Sequence, residues 1–257
     1  MAPPELIVVA AAYGLVLGSF LNVVVHRVPR QMSILRPRSH CPSCGSLIRW
    51  FDNLPVLSWL VLRGRCRRCG VRISVRYPLV ELATALLLAG VAARFGVSVQ
   101  GAAALVLGAL LVALALIDLE HLLLPDVLTL PGIAAGLLFS LAGGLVRPRD
   151  AVIGAALGAA LPYGVIVLYR LVRGVEGMGL GDVKLLAMIG AFLGWQGALL
   201  TLGVGACAGA VVGIGLVLAG RGKADTELPF GTFLSAAALL VLFARTPLLA
   251  LLGWARW

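Results

Sequence analysis

Two aspartates, Asp118 and Asp182, and four cysteines, Cys41, Cys44, Cys66 and Cys69, carry the most chemistry in this 257-residue chain. Asp182 closes the run Gly177-Met178-Gly179-Leu180-Gly181-Asp182 at the start of an apolar helix. Glycines there admit φ > 0 turns and let an extended backbone lie alongside, so Gly179 and Gly181 are candidate substrate-positioning residues. Asp118 interrupts an apolar tract that continues to Pro125-Asp126, at a helix's C-terminal end where the dipole disfavours an anion. A carboxylate at membrane depth costs about 2.5–3.5 kcal/mol, which marks both residues as functional and makes each the expected partner of the other. Side by side, two carboxylates do not both ionise easily. One then acts as acid while the other draws a proton from water, which is the logic of metal-free peptide-bond hydrolysis. Proton-coupled transport is the competing use of intramembrane carboxylates, and residue types alone leave both readings open.

The cysteines form two Cys-x-x-Cys pairs, Cys41/Cys44 and Cys66/Cys69, separated by 21 residues. Each pair on a tight turn aims two thiolates at one tetrahedral ion, so the spacing predicts a structural zinc in a zinc-ribbon-like or knuckle-like module. Gly45 and Gly70 follow the second cysteine of each pair, where such turns often need a residue without Cβ. The arginines around Cys66 and Cys69 are expected to help keep the thiols ionised. Two disulfides are the alternative. Cys207, in a Gly/Ala run, reads as a small buried hydrophobe.

The elements that must position these groups are membrane spans. The chain is 61% hydrophobic and 12% charged, with mean hydropathy +1.04. Soluble domains carry roughly 25% charged residues, so the composition predicts an all-α polytopic protein with about eight transmembrane helices. The apolar runs are placed at about 5–25, 78–93, 102–117, 127–145, 151–171, 183–193 and 198–219, with Pro229-Phe230-Gly231 opening the last. Gly194-Trp195-Gln196-Gly197 reads as a break between the sixth and seventh, and Trp254 and Trp257 as interfacial anchors. Residues 1–25 form the first helix, 26–77 a four-cysteine module and 78–257 the domain that carries both aspartates.

Charge sets the expected sidedness. Eleven of 21 basic residues are arginines between Arg27 and Arg76, against the single acid Asp52. Cytoplasmic loops accumulate Lys and Arg, so a net charge of +10 placed this way argues for a cytoplasmic module beside membrane lipid and against nucleic-acid binding. The same layout puts the Asp118 and Asp182 helix ends on the cytoplasmic face. Glu120, Glu176 and Asp126 are the remaining acids near them; they are candidates to attract a basic substrate segment, or simply solvated or capping acids.

Asp118 with Pro125-Asp126, Gly179-Leu180-Gly181-Asp182 with Lys184, the four cysteines, and Gly18-Ser19-Phe20-Leu21-Asn22 together resemble the type IV prepilin peptidases. The resemblance implies an intramembrane aspartic endopeptidase that removes the short basic leader of prepilins or pseudopilins at the cytoplasmic face of the bacterial inner membrane. It further implies N-methylation of the new amino terminus with S-adenosylmethionine as methyl donor, associated with the cysteine module; cleavage without methylation is the nearer alternative. By the same resemblance Asp118 and Asp182 are the catalytic aspartates, and Gly64 matches a glycine tied to methyl transfer. The module contains no Gly-x-Gly-x-x-Gly loop, so the sequence names no residue for the methyl donor.

Overall fold

The computed structural model describes residues 2–174, 179–221, 228–251 and 253, and the chain divides into two compact units, 1–101 and 102–257. Among the described residues, six helices are long and apolar enough to cross a membrane and there is no β-strand. This is an all-α, multi-pass membrane protein.

In the first unit, α1 (Pro4–Arg27) begins with proline and Glu5 in its first turn and ends with His26 and Arg27, the charge order that a helix dipole favours. It packs along α3 (Arg76–Phe95). The contact is backbone to backbone: a Cβ on Gly14 would lie 2.5 Å from Ala85 Cα, and one on Gly18 would lie 2.6 Å from Glu81 Cα. Small residues four apart allow that approach, and with no hydrophobic drive between helices in lipid, close packing is what holds such a pair. Asn22 adds a bond across it, donating from Nδ2 to the Tyr77 carbonyl at 3.2 Å. Between these helices the chain forms the cysteine module, which includes the short helix α2 (Leu57–Val61).

The second unit is built on α7. Its helices are α4 (Val99–His121), α5 (Asp126–Leu141), α6 (Pro148–Arg173), α7 (Leu180–Leu218) and α8 (Phe230–Leu251), and α7 packs against α5, α6 and α8. On α4, Leu107, Leu111, Leu114 and Ile117 recur at helical spacing and are fully buried. At 39 residues α7 would be about 58 Å long if straight, nearly twice the roughly 30 Å hydrocarbon core. It is redirected at Gly194, whose φ of 73° and ψ of 178° suit only glycine.

The expected break at 194–197 therefore shrinks to one residue, since helical geometry resumes at once after Gly194. The fourth apolar run also ends early, at Leu141, because Gly143 takes a positive φ and the Gly144 N–H turns back to the Phe139 carbonyl at 2.8 Å. Counting both limbs of α7 and the 16-residue α5, the eight apolar segments expected from sequence are present. Cys207 is exposed rather than buried, as suits an apolar side chain on a lipid-facing helix surface. Trp254 and Trp257 lie outside the described residues.

Candidate active site and cysteine module

Asp118 lies in the last turn of α4 and is only 5% exposed. The carboxylate is held by the start of α8. Thr232 N–H donates to Asp118 Oδ2 at 2.7 Å, and Thr232 Oγ1 stands 3.1 Å from the same oxygen and 3.0 Å from the Ala115 carbonyl. The first N–H groups of a helix have no acceptor within it, and its positive dipole end suits an anion. One helix's amino end thus offsets the unfavourable position of Asp118 at the carboxyl end of another. Gly231 leaves room for this, since a Cβ there would come within 3.1 Å of Asp118 Oδ2 and 2.9 Å of Leu124 Cδ1.

Asp182 occupies the first turn of α7, with its own N–H donating to the Gly179 carbonyl at 3.3 Å. Contrary to the expectation of left-handed turns, Gly179 is extended at φ −80° and Gly181 is helical. At Gly181 the demand for glycine is spatial. A Cβ on Gly181 would lie 2.9 Å from Leu124 Cβ, whereas among the described residues one on Gly179 would meet only Gly181 N, at 3.8 Å. Leu124, in the link between α4 and α5, therefore touches the starts of both α7 and α8, and this draws Asp182 within electrostatic reach of Asp118. Among the other acids, Asp126 is bound by Lys184 at 2.5 Å, Glu120 stands 3.9 Å from His121, and Glu176 lies outside the described residues.

Sequence reasoning missed Leu124, Gly231 and Thr232. The signal available was a Pro-x-Gly-Thr helix start, Pro229-Phe230-Gly231-Thr232, at a polar-to-apolar boundary. Nothing local pairs it with a residue 114 positions away.

The four cysteines converge in the first unit, with their sulfurs all within 4.8 Å of one another. The two halves repeat with an offset of 25. Cys41 N–H donates to Ser46 O as Cys66 N–H does to Val71 O, and Gly45 N–H donates to Cys41 O as Gly70 N–H does to Cys66 O. The bridges His40 with Leu47 and Arg65 with Arg72 keep the same register. Cys41 and Cys69 sulfurs are 3.8 Å apart, far beyond a disulfide and close to the edge of a tetrahedron with Zn–S bonds of about 2.3 Å. Four free thiols so arranged fit a structural zinc.

The groups that favour thiolates are not the arginines. Hydrogen bonds from the Ser46 hydroxyl and backbone bring Cys44 down to about 6, and the Cys69 and Arg68 amides lower Cys66. Cys69 accepts the Val71 amide, yet desolvation and its sulfur neighbours push it up to about 11. Arg67 instead grips Asp52 in a bidentate pair, at 2.7 and 3.0 Å. Gly64 adopts φ +64°, and a Cβ there would lie 2.9 Å from Trp59 Cζ2; Trp59 Nε1 in turn donates to the Ile73 carbonyl at 3.1 Å.

Comparison with known proteins agrees with this division. Residues 12–95 match the bacterial peptidase A24 N-terminal domain, and residues 105–214 match the type IV leader peptidase family. The chain is 44% identical to a prepilin leader peptidase/N-methyltransferase of Burkholderia pseudomallei strain 1026b, over 95% of this chain and 87% of that protein. Proteins of the same description from Aeromonas hydrophila and Pseudomonas putida are also 44% identical, covering 90% and 92% of this chain and 88% and 90% of their own lengths. No solved structure matches the chain. Similarity of this extent along both units places the chain in the type IV leader peptidase family.

Proposed function

We propose that the chain removes the leader peptide from prepilins or pseudopilins by using Asp118 and Asp182 as an acid–base pair, and then methylates the new amino terminus with S-adenosylmethionine. The observation that carries the peptidase reading is the convergence of the starts of α7 and α8 on the end of α4 through Leu124. Hydrolysis requires one carboxyl group to enter as acid and the other as base. The base takes a proton from water as its oxygen bonds to the scissile carbonyl carbon; the acid then delivers a proton to the departing amine as the C–N bond breaks. Thr232 and Gly231 fix the Asp118 carboxylate, and Gly179, which lacks a Cβ and has no close neighbour among the described residues, admits an extended substrate backbone.

Residues 26–77 serve the methyl-transfer step, with Cys41, Cys44, Cys66 and Cys69 holding a structural zinc. That ion stiffens a module of about 50 residues, too small for a large core of its own. The arginine excess between Arg27 and Arg76 supports a cytoplasmic position for this module and for the aspartates, in the bacterial inner membrane. Proton-coupled transport, open on residue types alone, leaves the cysteine module without a use.

The reading is tested by incubating reconstituted protein with a prepilin and S-adenosylmethionine labelled in the methyl group. Leader release with label on the new terminal amine is expected. Release without label would restrict the chain to peptidase activity, and an uncut prepilin would overturn the proposal.

A further inference from the structure

Within residues 1–101, the cysteine module and the facing ends of α1 and α3 line a half-open cavity of about 740 Å³. That volume falls in the range of roughly 300–1,000 Å³ usual for small-molecule sites. Glu81 of α3 lines it and is 7% exposed. Its carboxylate accepts the Val56 N–H at 2.7 Å, and among the described residues no cation is paired with it. Asp52, the other acid of the lining, is already held by Arg67. A buried carboxyl with only a neutral donor is costly to ionise, and a positive group brought beside it favours the charged form.

The backbone around this carboxylate is strained. Val56 is β-branched yet sits at φ 61° and ψ −51°, with Leu57 N–H closing on the Pro55 carbonyl at 2.6 Å. Such a tight three-residue turn is rare and unfavourable, and strain of this kind gathers at ligand clamps. It launches α2, which carries Trp59 into the cavity wall with Gly64 directly behind the indole. Arg68 and Arg72 line the same space.

We propose that this cavity is the methyl-donor site, with Glu81 as the counter-charge for the donor's cationic end and Trp59 as a wall. The inference rests on the methyl-transfer reading above. S-Adenosylmethionine fits the chemistry of the lining: its sulfonium and ammonium suit Glu81, its carboxylate suits Arg68 or Arg72, and its flat base suits the indole. The site explains how the chain can take a nucleoside-bearing donor without a glycine-rich loop. Glu81 is a positioning residue, acting through charge rather than on the transferred methyl group.

Full-length protein in detergent is titrated calorimetrically with S-adenosylmethionine. Glu81→Gln keeps an acceptor for the Val56 N–H, so a merely tethering role survives the change and a lost charge does not. Binding to the wild type, weakened about tenfold or more in Glu81→Gln at an unchanged melting temperature, is expected. Equal affinity in the two proteins would overturn the proposal. Ultraviolet cross-linking of wild-type protein to radiolabelled S-adenosylmethionine, with peptide mapping, does not depend on how any variant folds. Label within residues 19–81 is expected, and label confined to 102–257 overturns the assignment while leaving methyl transfer intact. A wild type that neither binds the donor nor methylates a mature pilin overturns the methyl-transfer reading itself.

Discussion

Thr232→Val removes one of the groups around Asp118 while keeping the side chain's shape. The backbone N–H at 2.7 Å stays, and only the hydroxyl at 3.1 Å is lost. A hydrogen bond to a charged group contributes about 1.5–3 kcal/mol. Because this hydroxyl carries one hydrogen and also lies 3.0 Å from the Ala115 carbonyl, the lower end applies. About 1.5 kcal/mol corresponds to a fall in kcat of about tenfold. KM should change little, since the hydroxyl supports the carboxylate rather than the substrate, and Thr232→Ser should restore the rate. Gly231→Ala should do more harm, because its new Cβ would press on Asp118 Oδ2 from 3.1 Å and on Leu124 Cδ1 from 2.9 Å. Misplacement of a catalytic group on this scale costs about a hundredfold. The assay is the rate of conversion of prepilin to its mature form by reconstituted protein, with melting temperatures recorded alongside. Wild-type kcat in both Thr232→Val and Gly231→Ala would refute the reasoning.

Metal analysis of purified protein should find about one zinc per chain, lost in Cys66→Ser; structural zinc in small modules contributes about 10–16 kcal/mol of apparent binding energy, so the module should become sensitive to proteolysis without it. Unaltered protease resistance after chelation would contradict this. Gly64→Ala places a side chain at φ +64° and 2.9 Å from Trp59 Cζ2, at a backbone cost of about 1–2 kcal/mol, and should weaken donor binding several-fold by shifting the indole. Unchanged affinity in calorimetry would contradict it.

The spans and the cysteine module were legible because their signals are local. Runs such as 102–117 exceed what a soluble core needs, and the repeated cysteine spacing reports two equivalent turns. The span ends were harder. Gly194 alone redirects a 39-residue helix, and sequence cannot distinguish one glycine-only conformation from a four-residue loop. The chemistry around the thiols was misassigned for a related reason. Nearby arginines are conspicuous in sequence, whereas the amides that contact Cys66 belong to Cys69 and Arg68 through the turn's geometry. Asp118 could be singled out as an expensive carboxylate, but its supports could not. Leu124, Gly231 and Thr232 matter through packing between segments distant in the chain, and each is unremarkable where it stands.

Cleavage of a prepilin by the single variants Asp118→Asn and Asp182→Asn bears most directly on the central claim. The account predicts that each substitution alone abolishes leader release in protein that still melts cooperatively, because the acid and the base come from different helices and neither replaces the other. Leader release at a substantial fraction of the wild-type rate in either variant would contradict it.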